Sequence, residues 1–170
     1  MKYVILILQL GFVAFVLSAG QSSARTVCMG PASTWDECYR TITEADGNKY
    51  VGTFKNGKFE GEGKYSEANG NVYIGTWKNG IFHGEGVRST ADGAKYTGAY
   101  RDGLKHGAGN YISPTGATYL GDFKNGKYDG RGVLTKANGA VYTGVWAFGK
   151  MQGQGTYASP KGHRYKGQFK

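Results

Sequence analysis

The stretch GKFEGEGKYSEANG, residues 57–70, has the makings of a phosphate site. Glycines are dense, lysines flank them, and free backbone N–H groups could face an anion. A phosphate loop, however, needs the run Gly-x-x-x-x-Gly-Lys-Ser/Thr between a strand and a helix. Tyr65 stands where a magnesium-binding hydroxyl is required, and no helical pattern follows. A second candidate is the column Glu60, His83, His106 and Asp129, whose members recur at one spacing. Written out, it looks like a set of metal ligands. Zinc ligands must sit ~2 Å from one ion. If these residues lie two strands apart they are ~10 Å from one another, so they read as a solvated polar face. No serine is placed beside a histidine to form a nucleophile–base pair. The sequence therefore leads us to expect no catalytic residue, no metal and no cofactor.

The elements that position these residues emerge from a repeat. Gly47, Gly70, Gly93, Gly116, Gly139 and Gly162 mark a period of 23 residues without an insertion. Three residues after each comes Tyr50, Tyr73, Tyr96, Tyr119, Tyr142 or Tyr165. Two further on is Gly52, Gly75, Gly98, Gly121, Gly144 or Gly167, and two beyond that Phe54, Trp77, Tyr100, Phe123, Trp146 or Phe169. Paired glycines such as Gly61/Gly63 close each unit. The chain has 30 glycines, 13 tyrosines and only 3 prolines in 170 residues, with aromatics at 14%. That excludes collagen, which needs proline and a three-residue period, and argues against disorder.

Units such as GNKYVGTFKNGKFEGEGKY and GATYLGDFKNGKYDGRGVL give residues 47–170 a close resemblance to MORN (membrane occupation and recognition nexus) repeats, with five full units and one truncated one. Unit three departs from it with Lys105, where the others carry Phe59, Phe82, Tyr128 and Met151. Unit five departs with Ala147, where the others carry Lys or Arg. The resemblance implies a non-enzymatic interaction scaffold, association with membranes, and dimerisation in some members. Other MORN arrays are fused to lipid kinases, but no kinase-like segment is present.

Within a unit, the alternation Tyr50, Gly52, Phe54 puts these residues on one face of a strand. Asn56-Gly57 is a strong two-residue hairpin turn. It predicts Phe54 opposite Phe59, Gly52 opposite Gly61, and Tyr50 opposite Gly63. In the next connection, keeping Tyr65 and Tyr73 on the aromatic face requires them to pair. A three-residue turn, Ala68-Asn69-Gly70, and Trp77 opposite Gly61 then follow. The expected fold is all-β: an elongated, twisted, single-layer antiparallel meander of about eleven strands built from 23-residue hairpin repeats. Its aromatic face carries Tyr50, Phe54, Tyr73, Trp77, Tyr96, Tyr100, Tyr119, Phe123, Tyr142 and Trp146, and is expected to bury itself over the glycines.

Ahead of the array, residues 1–20 read as a signal peptide: one lysine, an apolar run over 4–17, then Ser18, Ala19 and Gly20. The run is shorter than the roughly 18 residues of a spanning helix; an uncleaved membrane anchor is the alternative. Gln21, where a lipoprotein has cysteine, speaks against lipidation. The expected location is secreted or periplasmic. Residues 21–46 then form an N-terminal cap, and export makes Cys28 and Cys38 a disulfide pair. The cap carries a net charge of −2 and residues 47–170 a net charge of +10.

Charge and edges supply the expected partners. Lys55, Lys78, Arg101 and Lys124 recur at the hairpin turns, and Lys58, Lys127 and Lys150 join them. Such a column suits anionic lipid; lysines there also discourage edge-to-edge aggregation. Other expected partners are an unidentified protein and a second copy paired through the C-terminal edge strand; nucleic acid is not expected. An alternative reading is a glycan- or cell-wall-binding module whose exposed aromatic rings stack on sugars.

Overall fold

The computed structural model describes residues 26–170; the expected signal peptide, residues 1–20, lies outside them. One antiparallel sheet of twelve strands runs in sequence order. Its strands are β1 (Cys38–Thr43), β2 (Lys49–Lys55), β3 (Lys58–Ser66), β4 (Val72–Lys78), β5 (Ile81–Ser89), β6 (Lys95–Arg101), β7 (Leu104–Ile112), β8 (Thr118–Lys124), β9 (Lys127–Thr135), β10 (Val141–Ala147), β11 (Lys150–Ala158) and β12 (Arg164–Phe169). Eleven of them belong to the repeats, and the cap contributes the twelfth. Thr26 and Val27 run beside β1, and a single 3-10 turn, Ala32–Thr34, precedes it.

The turns follow from their residues. Asn56 and Gly57 sit at φ +49° and +70°, as the two-residue hairpin turn requires. The longer turns close as Glu67 N–H donates to Asn71 O and Gly70 N–H to Glu67 O, with Gly70 at φ +92°. Tyr65 pairs with Tyr73 and Gly61 with Trp77, in the expected register.

The hairpin register differs from expectation. Phe54 does pair with Phe59, but Gly52 faces Gly63 and Tyr50 faces Tyr65, with a shift between Gly52 and Thr53. Gly61, at φ +65°, and Glu62 form a bulge that slides the rest of β3 along. Gly61 is therefore required by its backbone angle, not as room for the Trp77 ring.

That slide builds the core. The Tyr50 ring lies across Gly52 and Gly63, and a Cβ on Gly63 would fall 2.5 Å from its hydroxyl oxygen. The hydroxyl donates to Thr53 O at 3.0 Å, so its burial leaves no orphaned donor. Phe59 stacks on the other side at a centroid distance of 3.7 Å, and Trp77 of the next unit meets the ring edge-on at 5.4 Å. Tyr73, Tyr119 and Tyr142 repeat the hydroxyl contact with Thr76, Asp122 and Val145. Tyr50, Tyr73, Tyr96, Tyr119 and Tyr142 are at most 2% exposed. A single-layer sheet thus buries its rings against its own glycines.

Candidate functional site

Successive hairpins are clamped at their turns. Gly80 N–H donates to Phe59 O at 2.9 Å, and the same bond joins Gly103 to Phe82, Gly126 to Lys105 and Gly149 to Tyr128. Two members of the polar column add to the clamp, while His106 Nδ1 is buried without a hydrogen-bond partner. A Glu60 carboxylate oxygen accepts from Asn79 N–H at 2.8 Å, and one from Asp129 accepts from Phe148 N–H at 3.3 Å. His83 Nδ1 lies 4.0 Å from an Asp102 carboxylate oxygen. Each of these residues faces the next turn instead of a shared centre, and among the described residues no three potential ligands converge.

The cap copies this clamp. Gly57 N–H donates to Trp35 O at 2.8 Å, and Asp36 accepts from Asn56 N–H at 3.4 Å. Trp35 also packs edge-on against Phe54 at 4.8 Å. Trp35-Asp36 therefore stands where Phe59-Glu60 stands for the following unit. The Cys28–Cys38 disulfide, with Cα atoms 5.0 Å apart, ties this segment to β1.

Two surfaces stand out. Along the turn edge, Lys55, Lys58, Lys78, Arg101, Lys124, Lys127 and Lys150 are all exposed. Lys55 is engaged by Glu37 of the cap at 3.2 Å; the other six have no ion pair among the described residues. The sequence reading passed over Ile81, Leu104 and Phe148, which stand exposed among these cations. Phe148 is 78% exposed and holds φ +52° where three other turns carry Asn. That is an uncommon angle for a bulky side chain.

The aromatic face is the second surface. All ten aromatic residues assigned to it are buried, including Trp77 and Trp146 at 4% exposure. Rings available for stacking on sugars are therefore not these. The partly exposed layer above them is formed by Phe59, Phe82, Lys105, Tyr128 and Met151 and by Tyr65, Arg88, Tyr111, Leu134 and Tyr157. Shallow depressions lie along it; the one against Phe59, Trp77 and Phe82 holds about 360 Å³. Apolar side chains fill both columns except where Arg88 and Lys105 interrupt them. Lys105 Nζ lies 4.0 Å from the Tyr111 ring centroid and 5.1 Å from that of Tyr96, in cation–π contact. Burial pulls its ammonium below its ordinary value, and Arg88 adds to the effect. Tyr100 replaces the Phe or Trp of other units, and its buried hydroxyl has no partner; burial pushes that hydroxyl up to about 12.

The repeat geometry has a counterpart among known families. The MORN repeat model matches five consecutive segments: residues 50–72, 73–95, 96–118, 119–141 and 142–164. The chain belongs to the MORN repeat family. Among solved structures, the TCP domain of Drosophila melanogaster SAS-4, in complex with a proline-rich motif of Ana2, is similar at 15% identity. That match covers 84% of this chain and 97% of the other, with a TM-score of 0.36. The TCP10 domain of Danio rerio CPAP, in complex with a STIL peptide, is similar at 16% identity. It covers 78% of this MORN chain and 69% of its own, with a TM-score of 0.34. Scores this low establish neither a shared fold nor a shared partner. No curated protein matches the chain in sequence.

Proposed function

We propose that this MORN protein is an exported, non-enzymatic scaffold that binds partner proteins and rests its turn edge on anionic membrane surfaces. The observation that supports the membrane part is the turn edge: six exposed cations without ion pairs among the described residues, interleaved with exposed Ile81, Leu104 and Phe148. Cations attract an anionic surface, and apolar tips between them can enter the headgroup region. The protein-binding role draws on family membership and on the partly exposed second layer of the aromatic face. The Cys28–Cys38 bond suits an oxidising compartment outside the cytosol.

Sedimentation with phosphatidylserine-containing vesicles tests the membrane reading. Each Lys or Arg near such a surface contributes about 1 kcal/mol. Replacing Lys78, Arg101, Lys124 and Lys127 by Gln is expected to weaken binding roughly a thousandfold, with the folded signal unchanged. Binding that survives in the fourfold variant, or that the native chain lacks, would overturn the membrane reading.

A further inference from the structure

The second layer of the aromatic face changes character at one place. Both of its columns are interrupted together, by Arg88 among tyrosines and a leucine and by Lys105 among aromatics and a methionine, and the buried column beneath carries Tyr100 among Phe and Trp. The register brings the interruptions to one spot. Arg88 pairs with Tyr96 across β5 and β6, and Tyr100 with Lys105 across β6 and β7. Arg88 and Lys105 line the same depression of about 210 Å³, with Lys95 on its rim. Lys105 and Tyr111 also line the next depression, against Phe123 and Tyr128.

The anions at this spot are already committed. Glu67 accepts from one Arg88 amine at 3.4 Å, and Asn71 also donates to Glu67 at 2.7 Å. Asp92 faces the depression, but its carboxylate already accepts from the Thr90 hydroxyl and the Ala94 N–H. Lys105 has no carboxylate partner among the described residues, and the Arg88 Nε is buried without one. Burying an ammonium without a counter-charge opposes folding, so a ligand that supplies a carboxylate would relieve that penalty.

We propose that Arg88 and Lys105 are the recognition point of a peptide groove on this face. It takes the carboxylate of a partner segment in polyproline II conformation that carries large apolar side chains three residues to either side. The spacing follows from backbone geometry. Equivalent positions of the groove recur every two strands, ~10 Å, and a polyproline II segment, with three residues per turn, returns a side chain to the same face every ~9 Å. With the carboxylate at Lys105, the flanking apolar side chains reach the depression against Phe82 on one side and that against Tyr128 on the other. Ile81 and Lys127 of the turn edge border the flanking depressions, but the depression that holds Arg88 and Lys105 has no turn-edge residue, so a Glu/Gln preference and vesicle binding report on the two readings separately.

Fluorescence anisotropy with the intact protein tests it. The probes are a labelled acetyl-Leu-Pro-Pro-Glu-Pro-Pro-Leu-amide, which holds the three contact residues on one face, and its Gln counterpart. The Glu peptide is expected to bind about tenfold more tightly, the worth of a hydrogen bond to a charged group. Lys105→Met and Arg88→Leu copy residues that units five and four already carry at these positions, so the fold is retained; each should bring the ratio close to one. Lys161→Glu, in the exposed last long turn, should leave it unchanged. Equal binding of the two peptides by the native chain, no binding of the Glu peptide at millimolar concentration, or a ratio that survives Lys105→Met would overturn the proposal, as would a ratio erased by Lys161→Glu.

Discussion

Units one and three are built on the same plan but finished differently. In unit one, Phe59 stacks on Tyr50 and closes an all-aromatic cluster with Trp77. In unit three, Lys105 covers Tyr96 and leaves a cationic step beside Arg88. Yet Tyr96 is as deeply buried as Tyr50, and its hydroxyl makes the same bond, to Ala99 O. The scaffold therefore resides in the tyrosine and its paired glycines. The residue above the tyrosine is free to vary, and variation there changes the surface without changing the fold.

The broadest way to challenge this division is to titrate the shared layer. Burial holds the hydroxyls of Tyr50, Tyr73, Tyr96, Tyr119 and Tyr142 above the ordinary value of 10.0. Their folded-state values are raised, so their contribution is complete below pH 10 and is lost as pH climbs towards those values. At pH 11 each unfolded tyrosine gains about 1.4 kcal/mol by ionising, and the five together match the stability of a typical domain. Circular dichroism should show unfolding between about pH 10 and 11.5. Retention of the sheet beyond that range would mean the tyrosine layer is not what holds it. Lys105 has the opposite sign: its value is lowered, so its penalty is present below that value and fades as pH rises towards 10.5.

A narrower challenge removes room for the ring. A Cβ at Gly63 or Gly109 would fall 2.5 Å from the hydroxyl oxygen of Tyr50 or Tyr96. Gly63→Ala and Gly109→Ala should each cost about 3 kcal/mol in urea denaturation. A difference above about 1 kcal/mol between them would show that the two units do not share one scaffold.

The smallest effect sharpens the contrast. Lys105→Phe gives unit three the stack of unit one and should stabilise the protein by about 1 kcal/mol. A loss of stability would show that the lysine is part of the scaffold after all.

Much of this architecture was legible in the sequence, for a physical reason. Alternation along a strand has only two phases, so a fixed 23-residue period with aromatics at even spacing determines the faces, the turns and the Tyr65–Tyr73 register. The bulge was not legible. Gly61 and Gly63 look alike in sequence, but one supplies a left-handed backbone angle and the other a place for a ring. Strand β1 was missed because Cys38–Thr43 lacks the repeat signature and gains its order from pairing with β2. The cation column could be read from spacing alone. The meeting of Arg88 with Lys105 could not, because it depends on which strands lie side by side.

The clamps at the turns also give the array a direction. The glycine N–H of each hairpin turn finds its acceptor on the element before it, so each unit added towards the C-terminus has a place for that donor. Trp35 and Asp36, tethered through Cys28 and Cys38, offer the first turn the same acceptors before any repeat exists. In the language of polymer growth, the cap is a covalently stapled seed against which the first hairpin is laid.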